Sequence, residues 1–130
     1  MGLIYLDTCL VIYLVEDNPI WSGRVRARMA AEGGPGFAIS PLVAMECLVG
    51  PLRSGNKTIE QTIRAALGGF AMLPIEDVFE GAARIRAHFR LKTPDALHLA
   101  CAQHHGCSAF WTNDRRFEAA GGPFVMTLGA

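Results

Sequence analysis

The sequence predicts an α/β fold in which four to five short, mostly parallel strands form a central sheet covered by helices on both faces. Short apolar runs alternate with longer segments of helical periodicity, which is the pattern of parallel α/β proteins. The first run, Leu3–Leu6, contains no polar residue, as expected of a strand buried on both faces. Apolar residues make up 51% of the chain and charged residues 18%, so we expect one folded domain over residues 1–130.

The predicted elements begin with strand Leu3–Leu6 and a short helix from Cys9 to Val15. A break follows at Asp17-Asn18-Pro19, because a proline restricts the residue before it to extended backbone. Trp21–Glu32 is interpreted as a surface helix, since arginines are interleaved there with apolar residues. The segment 33–36, which contains three glycines and a proline, is predicted to end this helix.

The second strand and its helix have clearer boundary signals. Phe37–Ile39 is a short apolar strand, and Ser40-Pro41 has the composition of a helix start, with an N-cap serine and a proline in the first turn. We expect this helix to end at about Val49, because Gly50-Pro51 interrupts helical hydrogen bonding. Residues 53–57 are predicted to form a polar loop.

The middle of the chain contains two further helices with one strand between them. The helical pattern extends from Thr58 to about Leu67, and again from Glu76 to His88. Two glycines at 68–69 end the first of these helices. The strand that follows them is Ala71–Leu73. The alternation of strand and helix therefore continues through this region.

The last third of the chain has the same sequence signals for helix starts and strands. Thr93-Pro94 is predicted to cap and begin a helix that continues to His105. Ala109–Thr112 is predicted as the fourth strand, Asp114–Ala119 as a helical turn, and Phe124–Thr127 as a final strand. Each strand except the last is followed by a helical segment, as a parallel sheet requires.

Charge, cysteine content and the start of the chain limit the possible classes of protein. Twelve basic residues balance twelve acidic ones, so any binding of phosphate must come from a local patch. The four cysteines form no C-x-x-C pair, which favours buried thiols over disulfides or a zinc site. The apolar stretch from Leu3 to Val15 is too short to span a bilayer, and the first residues have no secretory signal. We therefore expect a cytoplasmic protein.

Four carboxylates occupy positions where a functional site is expected. Asp7 follows the first strand and Asp114 the fourth, and parallel strands end at one common edge of a sheet. Glu46 and Asp95 lie on helical stripes that should face inward, where a carboxylate is costly unless it is paired or bound to a metal ion. The inward stripes are predicted to consist of Leu42, Glu46 and Val49 in one helix and of Asp95, Leu99 and Ala102 in the other.

Three of the four carboxylates also have a purely structural explanation. Asp7 could cap the next helix, Asp95 could interact with the dipole of its helix, and Asp114 could be a turn residue. Glu46 has no capping role, because it lies in the middle of a helix. Taken together, the four acids suit hard divalent cations such as Mg²⁺ or Mn²⁺, which can activate water for attack on a phosphodiester.

Four segments of the chain resemble PIN-domain ribonucleases, and specifically the VapC toxins of type II toxin–antitoxin systems. The segments are Leu-Asp-Thr at 6–8, Ser-Pro-Leu-Val-Ala-Met-Glu at 40–46, Thr-Pro-Asp-Ala-Leu-His-Leu-Ala at 93–100, and Thr-Asn-Asp-Arg-Arg-Phe at 112–117. Together they extend over nearly the whole chain, whose length also agrees with the family. The resemblance implies a three-layer α/β/α PIN-like domain.

The same resemblance implies a site, a reaction and partners. The family's acidic quartet, which binds Mg²⁺ with Mn²⁺ as a substitute, would consist of Asp7, Glu46, Asp95 and Asp114. Asp7 and Asp95 would be direct ligands, and Thr8 and Thr112 would support the acids by hydrogen bonding. The implied protein is a homodimeric toxin that cleaves RNA to 5′-phosphate and 3′-hydroxyl ends. A VapB-like antitoxin would inhibit it in a heterotetramer or larger complex, with its C-terminal tail in the active-site groove and basic side chains near the carboxylates.

Other functions and other side chains remain as alternatives. An aspartyl-phosphate phosphatase also has an Asp after its first strand, but it needs a second Asp where this chain has Cys9. A PIN-like module that binds RNA or protein without catalysis is the other alternative. Arg115 and Arg116 either contact phosphate or belong to a solvated helix start. His98 is interpreted as a residue of the core or of a dimer interface rather than as a general base.

Overall fold

Five parallel strands form a single sheet in the computed structural model, which describes residues 2–33 and 36–129. The strands are β1 (Ile4–Leu6), β2 (Phe37–Ile39), β3 (Ala71–Met72), β4 (Ala109–Thr112) and β5 (Val125–Thr127). Their order across the sheet is β3-β2-β1-β4-β5, and each neighbouring pair is parallel. The predicted α/β class with its parallel sheet is therefore confirmed.

Helices connect the strands and cover both faces of the sheet. In the described part of the chain they are α1 (Thr8–Val15), α2 (Ser22–Glu32), α3 (Pro41–Ser54), α4 (Lys57–Leu67), α5 (Phe79–His88), α6 (Thr93–His104) and α7 (Glu118–Gly121). The chain moves from β1 through β2 to β3, then returns past β1 to β4. Because crossovers between parallel strands are right-handed, this reversal puts α1–α4 on one face and α5–α6 on the other. The result is the expected three-layer arrangement.

The central strand β1 is buried on both faces, as its apolar sequence predicts. Ile4 is 2% exposed, and Tyr5 and Leu6 are fully buried. The Tyr5 ring stacks on Phe110 of the neighbouring strand β4, with 5.4 Å between ring centroids. Strand order reverses between β1 and β4, and α/β proteins bind ligands beyond the carboxyl ends of the strands at such a point.

Helix α3 continues through Gly50-Pro51 to Ser54, so the predicted end at Val49 is wrong. Pro51 is buried and lines a groove together with Val11 of α1 and Ile63 of α4. Its packing offsets the helical hydrogen bond that a proline cannot make. Tertiary contacts therefore outweigh the local preference of the Gly-Pro pair.

The glycine that ends α3 is Gly55. Its φ of 72° is left-handed backbone, which glycine adopts without strain at the C-terminal end of a helix. Asn56 follows as the N-cap of α4, and its side-chain oxygen accepts a hydrogen bond from the backbone N–H of Ile59 at 3.1 Å. The predicted polar loop 53–57 is therefore wrong, because only Gly55 and Asn56 lie between the two helices.

Two hydroxyl residues at predicted helix starts bond to other groups. Ser40 occupies the N-cap position of α3, but its hydroxyl bonds to the hydroxyl of Tyr5 at 2.8 Å instead of capping the helix. Thr93 is already the first residue of α6, whose N-cap is Lys92, and its oxygen accepts a hydrogen bond from Arg86 at 2.9 Å. The predicted N-cap position of Ser40 is therefore confirmed, although its side chain does not cap the helix, and the N-cap position predicted for Thr93 is wrong. Each helix still has its proline in the first turn, where no helical N–H is needed.

The remaining boundaries differ from the predictions by a few residues. Helix α5 begins at Phe79 instead of Glu76, after a turn in which the N–H of Val78 bonds to the carbonyl of Ile75. The predicted helical turn after β4 consists of a short 3₁₀ helix, Arg115–Phe117, followed by α7. Helix α2 ends at Gly33, and residues 34–35 of the predicted stop lie outside the described residues.

The expectations drawn from cysteine content and hydropathy agree with the structure. All four cysteines are free, and three of them are buried. Among the described residues, no helix combines the length and the apolar character needed to cross a bilayer.

Candidate active site

The four predicted carboxylates lie at the carboxyl ends of β1 and β4 and on the two helices α3 and α6. Asp7 directly follows β1 and caps α1. Asp114 follows β4 and caps the short 3₁₀ helix after it. Glu46 projects from the middle of α3, and Asp95 lies in the first turn of α6. Asp7 is 8% exposed, whereas the other three side chains keep between 21% and 29% of their surface.

Asp7 is held by hydrogen bonds on both carboxylate oxygens. The backbone N–H of Thr8 donates to Oδ1 at 2.9 Å, and the Thr112 hydroxyl of β4 donates to Oδ2 at 2.7 Å. Asp7 is therefore both the cap of α1 and a buried acid linked to the neighbouring strand. The thiol of Cys9 lies 3.7 Å from Oδ2, and burial raises its pKa to about 12, so this thiol stays protonated at neutral pH.

Glu46 points inward and is held by two donors on one oxygen. The Thr8 hydroxyl donates to Oε1 at 2.5 Å, and Nε2 of His98 lies 2.7 Å from the same atom. Burial opposes ionisation, but these hydrogen bonds outweigh it, and the pKa of Glu46 is lowered. The buried residues of α3 near Glu46 are Val43 and Cys47, so the inward stripe predicted with Val49 is wrong: Val49 is 41% exposed.

Asp114 is bound by the side chain of Arg116. Nε of Arg116 lies 3.0 Å from both oxygens of Asp114, and a terminal nitrogen lies 2.5 Å from Oδ2. This pairing lowers the pKa of Asp114. The same guanidinium is 3.9 Å from Oδ2 of Asp95. Arg116 therefore lies beside two of the four acids, and its position two residues after Asp114 was the only signal of this in the sequence.

Burial and neighbouring carboxylates disfavour the ionised form of Asp95. Burial raises its pKa most, the charge of Asp7 adds to this, and Asp114 contributes in the same direction. Arg116 and His98 lower the pKa without reversing the net shift. A cation beside Asp7 and Asp95 would relieve this repulsion.

Three residues connect the acids into one group. Thr8 contacts Asp7 and Glu46, Thr112 contacts Asp7 and the backbone of Asp114, and Arg116 lies beside Asp114 and Asp95. All four predicted acids therefore belong to one connected region of the structure. Sequence analysis missed His98 as a contact of this group, because it lies among apolar residues of α6. Its spacing of three residues from Asp95 was the available signal.

The residues fit a hard divalent cation, although they are not arranged around one. In residues 2–33 and 36–129, no set of three or more His, Cys, Asp or Glu side chains forms a metal-binding group. One oxygen of Glu46 is bonded to Thr8 and His98, and Arg116 engages both oxygens of Asp114. The four acids still offer only oxygen donors, which Mg²⁺ and Mn²⁺ prefer.

A family model described as PIN domain matches residues 4–123 of the chain. The chain belongs to the PIN-domain family. All four acids of this PIN domain lie within the matched segment. Ribonuclease VapC47 of Mycobacterium tuberculosis is 30% identical over 118 residues, which cover 88% of this chain and 86% of that protein. The resemblance found in the sequence is therefore confirmed.

Solved structures agree with this assignment. A toxin–antitoxin complex from Klebsiella pneumoniae contains a chain with 35% identity and a TM-score of 0.74, and the match covers 96% of this PIN-domain chain and 97% of that one. VapBC2 from Rickettsia felis, bound to a DNA fragment from its promoter, matches with a TM-score of 0.77 over 96% and 98% of the two chains. Its identity is 15%, so this second match supports the fold alone.

Proposed function

We propose that this PIN-domain protein is a Mg²⁺-dependent endoribonuclease and the toxin of a VapBC-type toxin–antitoxin pair. The observation that carries this proposal is the negative charge shared by Asp7 and Asp95 at the point where strand order reverses. The 30% identity to a ribonuclease and the 35% identity to a chain of a toxin–antitoxin complex support it. The site of action is the cytoplasm, and the working form is a homodimer.

In this proposal the four acids have different roles. Asp7 and Asp95 would bind the ion directly, and Glu46 and Asp114 would contribute directly or through water. A bound divalent cation supplies an acidic, nucleophilic water and neutralises charge on the phosphodiester. Thr8 and Thr112 hold the acids by hydrogen bonds, which fixes the carboxylates before substrate arrives. In-line attack by water on phosphorus gives 5′-phosphate and 3′-hydroxyl ends.

An apolar groove that reaches Glu46 is the proposed docking surface for the antitoxin. The groove has a volume of about 270 Å³ and lies between α1, α3 and α4, with Glu46 among its lining residues. Val15, Ile59 and Ile63 contribute to its apolar walls. A segment with apolar side chains followed by a basic residue would cover the walls and pair with the acids. An antitoxin tail of this composition would block the active site.

Cleavage of RNA by the purified, antitoxin-free chain tests the proposed activity. We expect cleavage of a labelled RNA with Mg²⁺ or Mn²⁺, loss of cleavage in EDTA, and a decrease of at least about a hundredfold in Asp7→Asn, which removes a direct ligand. Asp17→Asn is the matched control, because Asp17 is an exposed acid outside the site. Full activity of Asp7→Asn, or in EDTA, would contradict the proposal. Binding of RNA without turnover would instead favour a non-catalytic PIN-like module.

A further inference from the structure

A chain of hydrogen bonds runs from the buried interior to the carboxylate of Glu46. Oγ of Ser40 lies 2.8 Å from the hydroxyl of Tyr5, which lies 2.7 Å from Nδ1 of His98. Nε2 of the same ring lies 2.7 Å from Oε1 of Glu46. Ser40, Tyr5 and His98 are fully buried, whereas the Glu46 side chain is 29% exposed. The hydrogen-bond chain therefore connects β1, α3 and α6 and ends at the active site.

The positions of the protons follow from the donors and acceptors available. The carboxylate of Glu46 can only accept, so Nε2 of His98 carries a proton and donates to it. In the tautomer with its single ring proton at Nε2, Nδ1 accepts the phenol proton of Tyr5. The oxygen of Tyr5 then accepts a hydrogen bond from the hydroxyl of Ser40. Each buried side chain of this hydrogen-bond chain thereby has a partner among the described residues.

We propose that His98, held by Tyr5 and Ser40, is a positioning residue that fixes Oε1 of Glu46 and leaves Oε2 for the metal ion. This inference rests on the proposed function of the site. In the described residues, both side-chain donors that reach Glu46, Thr8 and His98, contact Oε1. A row of polar side chains in the core is costly unless each of them is hydrogen-bonded. Here the row ends on an acid of the site.

A purely structural role for His98 makes different predictions. A core histidine would change stability when replaced, but it would leave the affinity for metal unchanged in variants that fold. A partner that orients a metal-binding carboxylate changes metal affinity by about 10- to 100-fold when it is removed. The metal affinity of folded variants therefore separates the two roles.

The proton arrangement can be measured without metal or substrate. Long-range ¹H–¹⁵N spectra of the whole metal-free chain report the tautomer of each histidine ring, and His98→Gln identifies the signals of His98. We expect a ring protonated at Nε2 and unprotonated at Nδ1. The opposite tautomer would overturn the inferred direction of the hydrogen-bond chain, and with it the donation to Glu46.

The positioning role is tested by the binding of Mn²⁺ alone, measured by calorimetry. Tyr5→Phe keeps the ring stacked on Phe110 and removes only the hydroxyl, so we expect a several-fold loss of affinity in a folded chain. His98→Leu should lose about 10- to 100-fold, and His98→Gln should recover much of this because its amide can donate to Glu46. Tyr13→Phe is the matched control, since that hydroxyl bonds to Asn113 and to none of the acids.

The outcomes distinguish this inference from the proposed function. Wild-type affinity for Mn²⁺ in folded Tyr5→Phe and His98→Leu would contradict the positioning role while leaving the metal site intact. A wild-type chain that binds no Mn²⁺ and cuts no RNA would contradict the proposed function itself. Loss of affinity in His98→Leu with recovery in His98→Gln supports both.

Discussion

At the scale of single residues, short hydroxyl side chains hold the acids of the site in place. Thr112 is fully buried, donates to Oδ2 of Asp7 at 2.7 Å, and accepts a hydrogen bond from the backbone N–H of Asp114 at 3.0 Å. One hydroxyl therefore links the acid that follows β1 to the acid that follows β4. The sequence shows that a threonine precedes Asn113-Asp114, but it does not show that Asp7 lies within reach.

Replacing Thr112 with valine should weaken both the fold and the site. Among the described residues, Thr112→Val keeps the shape but leaves Oδ2 of Asp7 with only the weak thiol donor of Cys9. The substitution also removes the partner of the Asp114 N–H, and the total cost is about 1–3 kcal/mol. Affinity for Mn²⁺ should fall by about 10- to 100-fold, because Asp7 is no longer oriented. Urea unfolding and calorimetry measure the two effects.

Thr127→Val is the matched control for this variant. Thr127 is the partner of Thr112 in the register of β4 and β5, and its hydroxyl donates to Glu118 at 2.8 Å. Loss of the Thr127 hydroxyl should lower the free energy of unfolding without changing the affinity for Mn²⁺. Equal Mn²⁺ affinity in the two variants would show that the bond between Thr112 and Asp7 is not needed for the site.

Removing the charge of Asp95 should stabilise the metal-free chain at neutral pH. Burial and the charge of Asp7 raise the pKa of Asp95, so its ionised form is disfavoured in the folded state. Asp95→Asn should therefore raise the melting temperature by about a few degrees. The gain is complete above the raised pKa of Asp95. It declines as pH falls through that pKa and disappears below the ordinary pKa of aspartate, where both chains are neutral at this position.

Adding Mn²⁺ should reverse the order of the melting temperatures of the wild type and Asp95→Asn. Mn²⁺ binds the folded state of the wild type and raises its melting temperature with concentration, whereas Asp95→Asn has lost a direct ligand and should not respond. Melting curves over a series of pH values and Mn²⁺ concentrations measure both effects. A wild-type chain more stable than Asp95→Asn without metal at neutral pH would contradict the repulsion between Asp7 and Asp95.

Helix α3 shows how tertiary packing decides an element boundary. Gly50-Pro51 and Gly55 both have the composition of a helix end, and the sequence alone does not choose between them. The structure places Pro51 in the groove between α1 and α4, where burial keeps the helix continuous. Helix α3 therefore extends to Ser54, and its C-cap Gly55 directly precedes Asn56, the N-cap of α4.

Two glycine-to-alanine substitutions should have opposite effects on stability. Gly50 lies inside the helix with open space around its missing side chain, so Gly50→Ala should stabilise the chain by about 0.5–1 kcal/mol. Gly55 has a φ of 72°, so Gly55→Ala should destabilise it by about 1–2 kcal/mol. Urea unfolding gives both values. The reverse order would indicate that α3 ends at Gly50.

At the scale of the whole molecule, the acids of the site stand out against a chain with no net charge. Glu46 belongs to this group of acids and also lines the apolar groove, so the acids and the groove form one surface with an acidic end and an apolar end. Such a surface suits a partner segment of the opposite pattern better than a uniformly charged one. The proposed antitoxin tail has this pattern.

An acidic substitution in the groove should separate antitoxin binding from catalysis. Ile59 is 43% exposed and lines the groove, so Ile59→Asp should weaken binding of the cognate antitoxin that we propose by about tenfold or more. RNA cleavage by the free chain should not change. Ile20→Asp is the control, because Ile20 is 58% exposed and is not among the lining residues of the groove. Equal affinity in the two variants would place the antitoxin elsewhere.

The sequence predicts the elements of this molecule better than the contacts between them. The apolar runs and the prolines located all five strands and the starts of α3 and α6, because these signals are local. The bonds of Ser40 to Tyr5 and of His98 to Glu46 join residues 35 and 52 positions apart, and no local pattern encodes them. The four acids were found from their places on strands and helices and from the family resemblance. Arg116 and His98 became members of the group only in the folded chain.

The bond between Thr112 and Asp7 joins residues that are 105 positions apart. Strand β1 precedes its neighbour β4 by three connections in the sequence, so the two strands can pair only after the segment between them has been made. A partly synthesised chain has Asp7 and Glu46 but no β4 to hold them in register with Asp114. The order of synthesis therefore delays assembly of the site until β4 has been made.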